Sequence, residues 1–217
     1  MLNRRRLIIA ALAAATTPAW VGSARSAAPR LPLTARATEG PYYLPQPLHR
    51  ADITEGLPGV PLELRLRVLS PEAARLPQLR VDVWHCDAQG NYSGFADRGD
   101  ARGRDRRYLR GTQQTDAAGD VRFRTIWPGW YSGRTTHIHF KVIDGGRTLL
   151  TSQLYLPDTH NEQVYASASA YLRSRRRDTV NSNDWIALRG GESQLASVRE
   201  ADGLRTASLD VVVERAV

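Results

Sequence analysis

Short runs of alternating apolar and polar residues constrain the fold of this chain more than any other feature. The clearest run, residues 62–68, reads Leu-Glu-Leu-Arg-Leu-Arg-Val. Successive side chains of a β-strand point to opposite faces, so this pattern is typical of a strand with one face in a core and the other in water. Further candidate strands lie at residues 79–83, 121–125, 137–143, 149–156 and 209–214.

Turn-forming residues separate several of these runs. The groups are Asp-Ala-Gln-Gly-Asn at 87–91, Asp-Ala-Ala-Gly-Asp at 116–120 and Asp-Gly-Gly at 144–146. Several short strands joined in this way predict an all-β fold, an antiparallel β-sandwich with long loops and little helix. Only residues 162–176 favour a helix, and the arginine-rich stretch 98–110 is predicted to be an exposed loop.

The chain is long enough for one domain, with two segments placed before the first strand. Its 217 residues fit a single core, since domains commonly hold about 100–200 residues. Residues 29–61 are rich in proline and glycine, which predicts an ordered N-terminal arm without regular structure. We expect residues 62–217 to form the sandwich.

Residues 1–28 have the layout of an export signal. Three arginines at 4–6 precede an apolar run at 7–15, and small residues follow around 24–28. The apolar run is too short to span a bilayer, so we expect this segment to be removed and to leave no membrane span. Adjacent arginines resemble the twin-arginine signal, which predicts a periplasmic or extracellular protein exported after folding. An ordinary export signal with a chance arginine cluster is the alternative.

Charge and cysteine content narrow the choice of function. The net charge is +8, but the basic residues form no stripe interleaved with aromatic side chains, so we do not expect nucleic-acid binding. A single cysteine, Cys86, excludes an internal disulfide and a zinc site built on several cysteines.

Two histidines in one candidate strand form half of a potential metal site. His137 and His139 are two residues apart, so their imidazoles lie on the same face of the strand. The alternative is that one histidine is buried and hydrogen-bonded while the other is exposed. Tyrosines occur in turns beside this and an earlier strand, Tyr131 in the segment that leads into His137 and Tyr92 after the strand that ends near Trp84.

These motifs, taken together, resemble the intradiol ring-cleavage dioxygenases. The resemblance rests on Trp84-His85 with Tyr92-Ser93, the run Phe123–Ile126 with Pro128, Gly129 and Tyr131, and the run Arg134–Phe140. Matching motifs extend from Glu39 to Gln153, more than half of the chain. The resemblance implies an enzyme that cuts a small aromatic diol with O2, giving a cis,cis-muconate from a catechol.

The resemblance also implies a metal and its ligands. Tyr92, Tyr131, His137 and His139 match the residues that hold one non-haem Fe(III), with Tyr131 and His139 axial and Tyr131 leaving the metal when substrate binds. A trivalent cation holds phenolate at neutral pH, which suits two tyrosine ligands.

Further site residues follow from the same resemblance. Arg134 matches an arginine that lies over the substrate ring, and Gln153 matches a glutamine behind that arginine. Pro41 and Tyr42 match a loop that forms part of the wall of the substrate pocket. Trp130 is a further candidate for that wall.

Two rival functions remain open from the residues alone. One is a secreted non-catalytic sandwich that binds carbohydrate or protein. The other is a zinc metallohydrolase that uses His137, His139 and a carboxylate. A homo-oligomer also stays open.

Overall fold

Two four-stranded sheets face each other in the computed structural model, which describes residues 30–95 and 104–215. The strands are β1 (Pro61–Leu69), β2 (Arg80–Trp84), β3 (Arg110–Gln114), β4 (Asp120–Ile126), β5 (His137–Asp144), β6 (Arg147–Tyr155), β7 (Ser197–Ala201) and β8 (Leu204–Val212). Two helices, α1 (Asp158–Ser167) and α2 (Trp185–Gly190), lie between β6 and β7. Short 3-10 turns follow them at Ser169–Tyr171 and Gly191–Gln194. The predicted β-sandwich is confirmed.

The two sheets have the strand orders β4-β1-β8-β7 and β3-β2-β5-β6. All neighbouring strands are antiparallel except β1 and β8, which run parallel. The first sheet is therefore mixed, a detail that alternation cannot predict, because a period of two is the same in either strand direction.

The core fills the space between the sheets. Leu62, Leu64 and Leu66 of β1 are buried while Glu63 and Arg65 between them are more exposed, as the alternating pattern predicts. The core cluster draws apolar side chains from strands of both sheets. Burial of these alternate residues fixes which face of each strand points inward.

Several elements differ from the sequence prediction. The helix predicted over 162–176 begins earlier and ends at Ser167. The loop predicted over 98–110 is described only from residue 104, and its last residue, Arg110, is buried at the start of β3. The sequence pattern does not predict β3, β7 or α2, because each is short and has too few apolar residues at regular spacing.

The segment before β1 crosses from one sheet to the other. The backbone N–H of Thr34 donates to Val212 O of β8 at 3.0 Å, and that of Ala37 donates to Thr151 O of β6 at 3.0 Å. These contacts carry residues 38–43 alongside β5 and β2, where Gly40 lies beside the His139 ring and Tyr43 donates to Asp82. The arm is thereby part of the site's surroundings.

The predicted export signal, residues 1–28, lies outside the described residues and stays a prediction. No helix within 30–95 and 104–215 is both long and apolar enough to cross a membrane.

Candidate metal centre

The two histidines lie at the start of β5, between two neighbouring strands. His139 is paired with Trp84 of β2 on one side and with Gln153 of β6 on the other, and His137 is paired with Tyr155. Both imidazoles are buried. The strand period therefore places them on one face as predicted, and the alternative of one exposed histidine is wrong.

Two phenol groups meet one of these imidazoles. The hydroxyl oxygen of Tyr131 lies 3.0 Å from Nε2 of His137, and the hydroxyl oxygen of Tyr92 lies 3.4 Å from the same atom. The ring of His139 lies 4.8 Å from the ring of His137 and 6.2 Å from that of Tyr92. The structure thus brings the four predicted ligands to one place.

Hydrogen bonding and stacking orient the four rings. Nδ1 of His137 lies 2.6 Å from Thr135 O; a carbonyl only accepts, so Nδ1 carries the proton and Nε2 presents a lone pair. His139 stacks on Trp84 with centroids 4.9 Å apart and planes at 9°, and its Nδ1 is buried without a hydrogen-bond partner. Tyr92 stacks on Tyr42 at 4.2 Å and 9°.

Burial keeps all four groups neutral in the absence of a cation. Desolvation lowers the pKa of His137 to about 3 and lowers the pKa of His139 well below its ordinary value. Desolvation also raises the pKa of Tyr131 to about 12 and the pKa of Tyr92 well above 10. At neutral pH the imidazoles therefore offer lone pairs, while the phenols keep their protons until a positive charge arrives.

This donor set fits a ferric ion. Two phenolate oxygens and two imidazole nitrogens supply two negative charges, which favour a trivalent over a divalent cation. Within the described part of the chain, no group of three or more His, Cys, Asp or Glu side chains is placed to hold a metal. The groups that accompany the histidines are phenols, whereas the zinc-hydrolase alternative needs a carboxylate.

Arg134 and Gln153 are in contact beside the four donors. Nη2 of Arg134 donates to Oε1 of Gln153 at 2.5 Å, and Nε of Arg134 donates to Oδ2 of Asp184 at 2.9 Å. Gln153 is itself held, since its Nε2 donates to Thr38 O at 2.8 Å. The charge of Arg134 acts on Tyr131, where it opposes the effect of burial on the pKa of that phenol.

The predicted wall residues occupy different positions. Tyr42 packs on Tyr92, whereas Pro41 is exposed at the turn that follows Gly40. A Cβ added to Gly40 would lie 3.5 Å from Cε1 of His139, so the arm passes close to this ligand. Trp130 is buried with the guanidinium of Arg173 4.4 Å above its ring, and it borders an open groove together with Tyr131.

Asp184 and Thr135 belong to the site but were not predicted from the sequence. Asp184 is the N-cap of α2, and an aspartate before an apolar turn is a signal that would have found the cap. Its contact with Arg134, fifty positions earlier, has no sequence signal. Thr135 acts through its backbone carbonyl, which every residue type carries, so the sequence gives no signal for this role.

Known proteins resemble this chain in sequence over most of its length. The family model described as Dioxygenase matches residues 38–185, more than half of the chain. A catechol 1,2-dioxygenase from Acinetobacter baylyi is 28% identical over 185 residues, covering 73% of this chain and 57% of the relative. The chain spans little more than half the length of the curated relatives it matches.

Two solved structures are similar over most of their length. An intradiol ring-cleavage dioxygenase from Tetranychus urticae superposes with a TM-score of 0.78 at 26% identity, covering 85% of this chain and 95% of that one. The dioxygenase domain of a carbohydrate-binding fusion protein from Streptomyces sp. SirexAA-E has a TM-score of 0.65 at 31% identity, covering 85% and 100%. With a family match over more than half of its length and the fold of these relatives, this chain belongs to the intradiol ring-cleavage dioxygenases.

Proposed function

We propose that this protein is a non-haem Fe(III)-dependent dioxygenase that cleaves a catechol-type aromatic diol with O2 to a cis,cis-muconate-type product. The observation that carries the proposal is the approach of the Tyr131 and Tyr92 hydroxyl oxygens to Nε2 of His137, at 3.0 and 3.4 Å. A binding module would present these groups at its surface, whereas Tyr92, His137 and His139 are each 2% exposed.

Tyr92, Tyr131, His137 and His139 would hold one ferric ion per chain. When bound, the ion supplies the positive charge that stabilises the two phenolates and makes a catecholate ring reactive toward O2. His137 is pre-set for this by its Nδ1–H bond to Thr135 O, which leaves Nε2 free to bind.

Tyr131 is the ligand best placed to exchange with substrate. Its side chain is only partly buried, whereas Tyr92, His137 and His139 are almost fully enclosed. As a phenolate, its oxygen accepts a proton from a catechol hydroxyl and becomes a phenol, which its raised pKa favours. Tyr131 thereby takes up one of the two protons that a catechol releases when it binds as a dianion.

Arg134 supplies positive charge where the substrate ring becomes electron-rich. Its guanidinium is held by Gln153 and Asp184 before substrate arrives, so no reorganisation is needed during the reaction. Removing one such preorganised donor costs about 100- to 1,000-fold in rate. Tyr42, Pro41 and Trp130 complete the proposed surroundings of the substrate.

The predicted export signal at residues 1–28 supports a periplasmic or extracellular site of action. A small aromatic diol and O2 are the proposed partners, and the proposed product is an open-chain diacid.

The test is a visible spectrum combined with oxygen uptake. The protein is purified from iron-supplemented cells, its metal content is measured, and O2 consumption is followed with a panel of substituted catechols. We expect a burgundy protein with a tyrosinate-to-Fe(III) band that changes in Tyr131→Phe and in Tyr92→Phe, and a product with a muconate spectrum. A colourless, metal-free protein supports the binding module, and stoichiometric zinc supports the hydrolase; either overturns the proposal.

A further inference from the structure

We propose that Asp184 is the positioning residue that fixes the plane of the Arg134 guanidinium over the substrate and ties it to the N-terminus of α2. This inference rests on the proposed function, because it assigns Arg134 to the substrate ring. It goes further by placing part of the machinery on a helix outside the two sheets.

The Asp184 carboxylate makes contacts in two directions. Oδ2 accepts from Nε of Arg134 at 2.9 Å and from the backbone N–H of Thr135 at 2.9 Å. Oδ1 accepts from the backbone N–H groups of Ile186 at 2.8 Å and Ala187 at 3.3 Å. One side chain therefore joins the first turn of α2 to the turn that leads into β5.

Two contacts on different nitrogens determine the orientation of a planar guanidinium. Asp184 holds Nε of Arg134, and Gln153 holds Nη2. A guanidinium held at one nitrogen rotates about its bonds, whereas contacts at two nitrogens fix its plane. Gln153 was predicted from the family resemblance, and Asp184 supplies the second point.

The same carboxylate acts on a metal ligand through one peptide unit. Asp184 accepts the N–H of Thr135, whose carbonyl accepts the proton on Nδ1 of His137. The turn that carries Arg134 and the strand that carries His137 are thus anchored to the same point. This arrangement fixes the position of Arg134 relative to the proposed metal site.

Asp184 is charged in this setting. Burial would raise its pKa, but hydrogen bonds from Thr135 and Arg134 outweigh burial and hold the pKa below its ordinary value. Its side chain is fully buried and that of Arg134 is 13% exposed, which makes the pair more than a surface ion pair.

The competing explanation is that Asp184 only caps α2. Asparagine also caps helices well, so Asp184→Asn keeps an oxygen for Ile186 and Ala187 while removing the charge that holds Arg134. Asp184→Ser is a second cap-preserving variant in case the first folds poorly. Asp120→Asn is the matched control, because Asp120 of β4 accepts from Nε of Arg67 at 2.8 Å in the sheet that does not contain β5.

We expect Asp184→Asn to lower kcat/KM for catechol about 10- to 100-fold, the usual effect of losing a residue that orients a ligand or catalytic group. The visible band should keep its maximum, and anaerobic catechol binding, followed by the change in that band, should weaken less than kcat falls. Asp120→Asn should leave kcat/KM within a factor of two of wild type.

A double-mutant cycle separates positioning from capping. If Asp184 acts mainly through Arg134, Asp184→Asn causes a much smaller loss of kcat/KM in an Arg134→Ala background than in the wild-type background. An equal loss with and without Arg134, or a loss of less than threefold in the single variant, overturns the inference.

The same cycle in the metal-free protein is independent of the proposed function. Thermal unfolding of the two single variants and the double variant measures the coupling between Asp184 and Arg134. A wild-type protein without a visible band or O2 uptake contradicts the proposed function, whereas additive unfolding effects contradict the Asp184–Arg134 anchor itself.

Discussion

The indole of Trp84 and the imidazole of His139 lie face to face, 4.9 Å apart and at 9°, as cross-strand neighbours on β2 and β5. The imidazole has no hydrogen bond at Nδ1, so stacking on Trp84 takes the place of a hydrogen bond in orienting it. The orientation of the His139 ring thus depends on the apolar face of Trp84, whereas the orientation of the His137 ring depends on a hydrogen bond to the Thr135 carbonyl.

Replacing Trp84 by Leu should therefore weaken metal retention. We expect iron affinity to fall about 10- to 100-fold, as is usual when the support of a ligand is removed. Competition with a ferric chelator measures the change. Trp127→Leu is the control, because Trp127 is also fully buried but packs in the main core; equal losses in the two variants would contradict a specific role for Trp84.

Ferric binding should release protons from the two phenols. The pKa values of Tyr92 and Tyr131 are raised by burial, so both carry protons before the metal binds and lose them afterwards. The affinity for iron should accordingly rise with pH. Tyr131→Phe has one ionisable phenol fewer at the site and should release one proton fewer than wild type.

A weakly buffered titration near pH 7 with a ferric nitrilotriacetate complex measures this release. Because wild type and variant receive the same complex, the difference between them reports on Tyr131 alone. Equal proton release would mean that Tyr131 does not bind the metal as phenolate.

His85 should make the metal-free protein sensitive to mild acid. Its ring lies between Cys86 O and Thr125 Oγ1, and burial lowers its pKa to about 4. Since the folded-state pKa is below the unfolded value of about 6.5, the unfolded chain takes up the proton first and stability falls as pH drops from about 6.5 to 4. The full loss from this residue is roughly 3 kcal/mol.

Urea unfolding of wild type and His85→Gln at several pH values tests this. The variant should lose less stability than wild type across that range, because it lacks the His85 imidazole. His137 and His139 are present in both proteins, so their contributions cancel in the comparison. Parallel pH dependence of the two proteins would contradict the assignment to His85.

Gly40→Ala should affect both stability and turnover. Gly40 has a φ of +69°, and a methyl group there would contact the His139 ring at 3.5 Å. We expect a loss of about 1 kcal/mol from the left-handed backbone, and reduced catechol turnover because relief of this strain shifts the arm that carries Tyr42. Gly56→Ala, at a φ of +72° with open space around it, should lose similar stability without the loss of turnover. Unchanged turnover in Gly40→Ala would show that the arm does not shape the site.

Local pattern was sufficient for part of the fold and part of the site. The alternation in β1 and the i, i+2 spacing of His137 and His139 are properties of an extended chain, and both are confirmed. Strand β3 was not predicted because its residues, Arg-Gly-Thr-Gln-Gln, have no apolar alternation; it forms as an edge strand by pairing with β2. Pairing of this kind depends on a neighbour that the local sequence does not contain.

The sequence by itself determined which residues alternate, where the chain turns and which two histidines share a face, because each is a property of a few consecutive residues. Only the tertiary structure decided that β8 runs parallel to β1, that Tyr92 reaches a histidine 45 positions away, and that Asp184 holds Arg134. It also decided the protonation of the four donors. Desolvation depends on how much of the whole chain surrounds a group, and no short stretch of sequence carries that information.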